Sequence, residues 1–249
     1  MASWLTGDGL ASLLPAAAFC LMLAAELWRP RRVPTGNRGE RWFGNVGLFA
    51  LNSFLALWLL PALIAPAAAG HGWMAWTAAL LFLDLLSYAT HRLYHAVPLF
   101  WRMHAVHHTD VDLDATTALR LHPLEFVGNF AATSLLASLF GIWAEAITWY
   151  GAAALALQLV QHANFALPPK LDSRLNLLLV TPGFHRSHHS AAPEDGGTRF
   201  GAVLSIWDRL FGTWRGTVAD DGEPVRFGVA ALSAPSFQRL DRMLLTPLY

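Results

Sequence analysis

Two blocks of histidine carry the chemistry this sequence can do. His91 and His95 stand four residues apart, and His104, His107 and His108 follow at i, i+3 and i+4; on a helix, side chains at those offsets share a face. Five imidazoles are therefore expected to converge. His185, His188 and His189 repeat the same three-residue geometry further on, so eight of the eleven histidines lie in two blocks. Neutral imidazole is the commonest side-chain ligand for first-row transition metals, and this many nitrogens exceeds what one tetrahedral ion takes. The expectation is two metal ions.

The choice of metal follows from what the blocks lack. A zinc peptidase helix carries His-Glu-x-x-His, with the Glu as general base, whereas here the pair reads His91-Arg-Leu-Tyr-His95. Heme takes one or two axial ligands and leaves the other histidines without a role. A membrane metal transporter places its ligands at mid-bilayer, while these fall just beyond an apolar run. Two irons are the best fit, because iron with open coordination positions activates dioxygen, which no side chain can do.

The elements that must position these residues are membrane helices. The chain is 249 residues long, 55% hydrophobic and only 14% charged, which predicts a single all-α, membrane-embedded domain over residues 1–249. Its formal charge is zero, so nothing points to nucleic acid as a partner. Cys20 is alone and its apolar neighbours predict a packed, inert thiol. The first eight residues lack the basic region of a secretory signal, so the first apolar run is expected to be retained.

Gly9 to Trp28 is apolar over about one bilayer thickness and reads as the first crossing. Arg29, Arg31, Arg32, Arg38 and Arg41, broken by Pro30, Pro34 and Gly36, read as a cytoplasmic loop by the positive-inside rule. Gly44 to Ala69, carrying Pro61 and Pro66, returns outward to a turn around His71 that has no Lys or Arg. Residues 1–72 thus hold N-terminal membrane helices. Met74 to Thr90 comes back and runs into the first histidine pair, with Asp84, Tyr88, His91 and His95 as one stripe. Val127 to Trp143 and Ala146 to Val160, separated by Ala144 and Glu145, suggest a hairpin in the membrane. An even number of passes there leaves Arg120 and Lys170 on one side, and all seventeen basic residues then fall in segments assigned to the cytoplasm. The result is a bundle of about four to five membrane helices under a cytoplasmic helical cap that holds the dimetal site. After Pro168 the cap is cut into short pieces by Pro182, Gly183, Pro193, Gly196 and Gly197. The apolar spacing of Ile206, Trp207, Leu210 and Phe211 suggests that this piece packs over the site rather than lying on the membrane.

The order His-x-x-x-His, His-x-x-His-His and His-x-x-His-His resembles the sterol desaturase and fatty acid hydroxylase superfamily of integral-membrane di-iron oxygenases. Supporting matches are Asp84 ahead of the first pair, Leu119 to Glu125 (Leu-Arg-Leu-His-Pro-Leu-Glu), Gln161-His-Ala-Asn164, and Phe200 to Thr213. The likeness covers roughly residues 81–214, the expected catalytic core. It implies a centre held by His91, His95, His104, His107, His108, His185, His188 and His189 together with His162, above a lipid-facing cavity. Such members use dioxygen and two external electrons to hydroxylate or desaturate an alkyl carbon of a sterol, fatty acyl chain or related lipid. Ether-lipid cleavage on the same scaffold, or metal holding without catalysis, are the alternatives. Some members carry a further histidine where this chain has Gln158, so either one iron has a nitrogen ligand fewer or Gln158, Asn164 or water fills that place. Asp84, His122 and Glu125 are expected to support ligands rather than bind metal themselves. With no cysteine set for an iron–sulfur cluster, electrons are expected from a separate protein.

Overall fold

A computed structural model describes residues 9–63, 72–192, 195, 197–216 and 225–249. The turn expected around His71, together with Pro66, Pro193 and Gly196, lies outside these residues. The regular elements are helices, as expected, with two isolated bridges, Leu179 to Leu204 and Ser190 to Phe227.

Among the described residues, three helices are long and apolar enough to cross a bilayer: Gly9–Trp28 (α1), Arg38–Leu63 (α2) and Trp73–Ala96 (α3). Their apolar side chains point outward, with Leu10 67% and Trp58 71% exposed. Each such side chain in water forgoes about 1.5–3 kcal/mol of transfer free energy, so these faces belong against lipid. Cys20 is also exposed on α1, not packed as its neighbours suggested, because an apolar stretch on a membrane helix is surface rather than core. The chain is a membrane protein.

Val97 precedes Pro98, and the proline ring drives it out of the helical region to φ −104 and ψ 118. That break ends α3 and starts Pro98–His108 (α4), folding the second histidine set back onto the first. A 3-10 turn, Ala115–Leu119, leads to the hairpin of Pro123–Leu139 (α5) and Ala144–His162 (α6). The hairpin turns at residues 140–143 and not at Ala144 and Glu145, which form the first turn of α6; Gly141, at φ +68, supplies the left-handed residue. At 17 residues α5 rises about 26 Å, a little short of the hydrocarbon thickness. α1 packs along α6, α2 along α5, and α3 against both members of the hairpin. Pro169–Leu175 (α7), Pro182–His188 (α8), Ile206–Leu210 (α9) and Leu240–Leu245 (α10) complete the cap.

A buried charge network joins these pieces. Arg38 and Arg41 sit on the first turn of α2 rather than in the preceding loop, because the breakers Pro34 and Gly36 lie ahead of the helix start and Gly39 is accommodated within its first turn. Arg41, fully buried, donates from Nε and Nη2 to the Asp110 carboxylate at 2.6 and 3.0 Å, from Nη1 to Asp114 at 3.0 Å, and to the Asp112 carbonyl. Arg120 donates to the Val106 carbonyl (2.7 Å), Thr109, Asn45 and Gln238. Burial pulls the Arg120 guanidinium down to about 10, with Asp110 acting in opposition, so it stays charged at neutral pH. Together they clamp the end of α4 just past His108.

Removing the charge of Asp110 leaves Arg41 with Asp114 as its remaining carboxylate partner and takes from Arg120 the first of its opposing charges. Asp110→Asn is expected to lose about 3–5 kcal/mol of stability, read as a lower unfolding midpoint in detergent; an unchanged midpoint would show that the clamp is dispensable.

Candidate metal centre

Nine histidines meet in two groups. His91 and His95 of α3, His104 and His108 of α4 and His188 of α8 form one; His107 of α4, His162 of α6 and His185 and His189 of the second block form the other. Within each group the nitrogens lie within 4.8 Å of one another. The eight motif histidines are thus brought together with His162, but both three-residue motifs are split. His107 leaves His104 and His108, and His188 leaves His185 and His189, because on a helix the i+3 residue swings to the opposite side of residue i from the i+4 residue and so faces the neighbouring centre. The five imidazoles of the first block therefore do not converge as one set. The groups are adjacent, with the His108 and His189 rings stacked at 4.4 Å.

The donor chemistry fits metal. The Nδ1 atoms of His91, His188 and His162 lie 2.9, 2.9 and 2.7 Å from the carbonyls of Phe200, Thr198 and Gln158, and a carbonyl only accepts, so each Nδ1 carries the proton. The Nε2 lone pair of each is left bare. His104 Nδ1 lies 2.7 Å from Glu125 Oε1. In the first group all five Nε2 atoms are buried without a hydrogen-bond partner among the described residues. In the second, His162 Nε2 stands 2.9, 3.1 and 3.2 Å from the Nε2 atoms of His185, His107 and His189. Four nitrogens about 2.0 Å from one ion in a tetrahedron are about 3.3 Å apart, so this spacing suits a shared cation. Burial lowers the affinity of His104, His107, His108, His185, His188 and His189 for protons, keeping them neutral as ligands must be.

Two carboxylates hold the loop that covers the first group. Asp84 accepts from the backbone of Val203 and Leu204 and from Trp207 Nε1, at 2.8–3.1 Å, and from Tyr150. Asp208 accepts from Phe200 and Gly201 N–H at 2.7 and 2.8 Å. Gly201 is required by close approach, since a Cβ there would meet the Leu204 carbonyl at 2.7 Å. Between the two carbonyls that orient His188 and His91, Arg199 adopts φ 64 and is held by Asp195 at 3.0 Å. The ring of Phe200 lies 5.1–5.8 Å from those of His91, His95 and His188.

The supporting residues sort differently from expectation. Glu125 does orient a histidine. Asp84 contacts the covering loop, not an imidazole, because its stripe on α3 meets residues 203–207 about two turns before His91. His122 joins neither group; it caps α5, its Nδ1 accepting from Leu124 N–H and its Nε2 lying 3.2 Å from the Leu244 carbonyl. Asn164 is spent on the Arg32 backbone, accepting from its N–H at 3.0 Å and donating to its carbonyl at 2.7 Å. Gln158 offers its carbonyl to His162, and its side chain lines a cavity beside the second group. Trp207 turns inward as expected of a packed segment, whereas Leu210 is 69% exposed. The roles of Phe200 and Thr198 were not readable from residue type, since it is their carbonyls that act; the only sequence signal was that Phe200 opens a matched stretch.

The fatty acid hydroxylase family model matches residues 76–213, more than half of the chain. Ornithine lipid hydroxylase OlsE of Rhizobium tropici is 34% identical over 130 residues, covering 51% of this chain and 38% of the relative. Alkylglycerol monooxygenase of Danio rerio is 32% identical over 159 residues, 62% of this chain and 33% of the relative. Fatty acid hydroxylase vlmA of Lecanicillium sp is 27% identical over 163 residues, 57% of this chain and 43% of the relative. The chain thus spans less than half the length of these curated relatives. No solved structure matches it.

A carboxylate that fixes the tautomer of a ligand tunes its basicity. Glu125→Gln is expected to weaken metal retention by the five-histidine group about 10–100-fold, measured as metal content against a graded chelator; equal retention would remove Glu125 from this role.

Proposed function

Because the chain belongs to the fatty acid hydroxylase family, we propose that it is a multi-pass membrane oxygenase that inserts oxygen into, or desaturates, a lipid, with one iron in each histidine group. His91, His95, His104, His108 and His188 hold one ion and His107, His162, His185 and His189 the other. The observation that carries this reading is the pair of adjacent groups of converging histidine nitrogens, with the Nδ1 protons of His91, His104, His162 and His188 held away from the centre by carbonyls and a carboxylate. Iron bound there supplies dioxygen activation, which no side chain provides.

The chain's own residues supply position and dryness. The Phe200 and Thr198 carbonyls and Glu125 fix ring orientation, and the Phe200 ring shields the first group from water. A cavity bounded by α3, α5 and α6 reaches the histidines from the membrane side, lined by His91, His104, His107 and His162 together with Leu86 and Leu121. Substrate therefore enters laterally from lipid. The cap and site lie on the cytoplasmic face, because the basic residues of the chain cluster in the segments around them. Electrons come from a separate protein.

Alkylglycerol monooxygenase among the relatives favours a second substrate reading, an ether lipid oxidised at the carbon beside oxygen. The products separate the two: a released aldehyde marks the ether, a retained alcohol the acyl or alkyl chain.

Comparative lipid profiling of cells with and without the protein under labelled dioxygen is expected to reveal a lipid carrying one label. His107→Ala and His188→Ala, each in a different group, are expected to cut labelling by about 100-fold or more and to lower iron content. A double variant that kept both irons and full labelling would falsify the ligand assignment.

A further inference from the structure

Part of the cap reaches down alongside the membrane helices. Asp84 lies seven residues before His91 on α3, about 10 Å further into the membrane at the helical rise. It holds the N–H groups of Val203 and Leu204 and the Trp207 indole. Phe211 stacks on Tyr88, one turn closer to the histidines, with ring centres 5.4 Å apart. Leu80 and Leu81, one turn beyond Asp84 on the same face of α3, are exposed, so the segment stops where the lipid-facing surface of α3 resumes. Residues 175–180 join it from α7: Leu179 bridges Leu204, and the N–H groups of Val180 and Ser205 donate to the carbonyls of Val203 and Leu178 at 2.9 and 3.0 Å.

This double segment turns apolar side chains outward and backbone polar groups inward. Leu177, Leu178, Leu210 and Phe211 are exposed, Leu177 by 65%. Every backbone N–H from 177 to 180 and from 203 to 205 has a partner within the protein, in the carbonyls of Arg174, Leu175, Leu178 and Val203 or the Asp84 carboxylate. A loop in water needs no such closure, because water meets its N–H groups, whereas irregular backbone at membrane depth persists only where protein does so. The exposed cation of α9 is tucked away as well. The Arg209 guanidinium lies 4.2 Å from the centre of the Trp214 ring and donates to the Asn176 carbonyl at 3.2 Å, so its charge is carried along the protein. Lys170 and Arg174, on α7 just ahead of the segment, are exposed, as suits contact with anionic headgroups.

We propose that residues 175–179 and 204–214 form a wedge that enters the bilayer beside α3. Leu177, Leu178, Leu210 and Phe211 lie among the acyl chains of the leaflet next to the histidine groups, with Lys170 and Arg174 at its headgroups. Continuity with the lipid-facing surface of α3, together with the inward-paired backbone, selects lipid as the occupant over a second copy of the chain or a partner protein. The loop that lends the Phe200 and Thr198 carbonyls to His91 and His188 is then braced on one side by the bilayer itself. This goes beyond the oxygenase reading and does not depend on it, since the membrane helices alone locate the wedge.

The test places the unmodified full chain in nanodiscs of dioleoyl phosphatidylcholine and dioleoyl phosphatidylglycerol that include a phosphatidylcholine with a diazirine in its acyl chain. After illumination, peptides covering residues 175–179 and 204–214 are expected to carry lipid adducts, as those of α1 do, while peptides around exposed Arg226 carry none. A second measurement uses the environment-sensitive dye NBD on Cys20, which is exposed on α1 and serves as the lipid reference, and on Leu178→Cys, Leu210→Cys or Arg226→Cys in a Cys20→Ser background. Emission from the Leu178→Cys and Leu210→Cys probes is expected to match the blue-shifted Cys20 signal and to resist quenching by iodide, whereas the Arg226→Cys probe emits to the red and is quenched. Adducts on α1 without adducts on either segment, as a second copy or a partner protein seated there would give, overturns the proposal, and so does aqueous emission from both wedge probes. Because the first measurement reads the natural sequence, it decides the matter even where a variant fails to fold. Neither readout involves iron or lipid oxidation, so failure of the oxygenase reading leaves this one standing, and the reverse.

Discussion

The constraint on which the rest of the molecule depends is the packing of nine imidazoles, ring against ring, most of them buried. Desolvation alone pushes them toward the neutral form, and mutual repulsion would deepen that if any were protonated. A neutral ring still has one N–H to satisfy and one lone pair to place. The protein settles this by giving the Nδ1 of His91, His162 and His188 a backbone carbonyl and that of His104 a carboxylate. Each such contact turns a flexible imidazole into a ligand of fixed direction. The architecture around the site can be understood as the set of supports that keep those partners in place.

Those supports are charged and buried, which is unusual beside a bilayer. Asp84 and Asp208 grip the backbone of residues 200–204 from two sides, and Arg41 and Arg120 grip the chain after His108. Buried ions of this kind contribute little net stability when matched, but losing one partner is severe, so they act as devices of specificity. A loop tied by backbone N–H bonds to a carboxylate can keep one conformation without a large apolar core. That suits a cap whose pieces are short and whose apolar residues are divided between the bundle and the lipid-facing surface. Glu26 plays the same part at the end of α1, accepting the N–H groups of Ala115 and Asn164 at 2.8 and 2.7 Å.

The bundle and the site meet in the membrane-side cavity. Its walls are continuous with the helices that carry His91, His95 and His162, so the same register that aims imidazoles at the two groups also aims Ser87, Thr90, Gln158 and Gln161 at the space below them. Polar groups at that depth are expensive on a lipid-facing surface and tolerable only around a cavity or against protein.

The sequence by itself determined the ingredients: an all-α membrane chain, with histidines at helical offsets. These rest on local physics, because periodicity and hydropathy act over a few residues, whereas the break at Pro98 that separates the two histidine helices emerged with the structure. The motifs gave the membership of the site but not its partition. Only the tertiary structure decided that His107 leaves its neighbours for His162 and that His188 crosses to the other group, because a few tens of degrees of helix rotation choose between adjacent centres. It alone decided that Asp84 holds a loop, that His122 and Asn164 serve the scaffold, and that Phe200 and Thr198 act through their carbonyls, since a backbone atom carries no signature of residue type. Residue identity limits what chemistry is available, and the relative placement of distant segments decides which atom performs it.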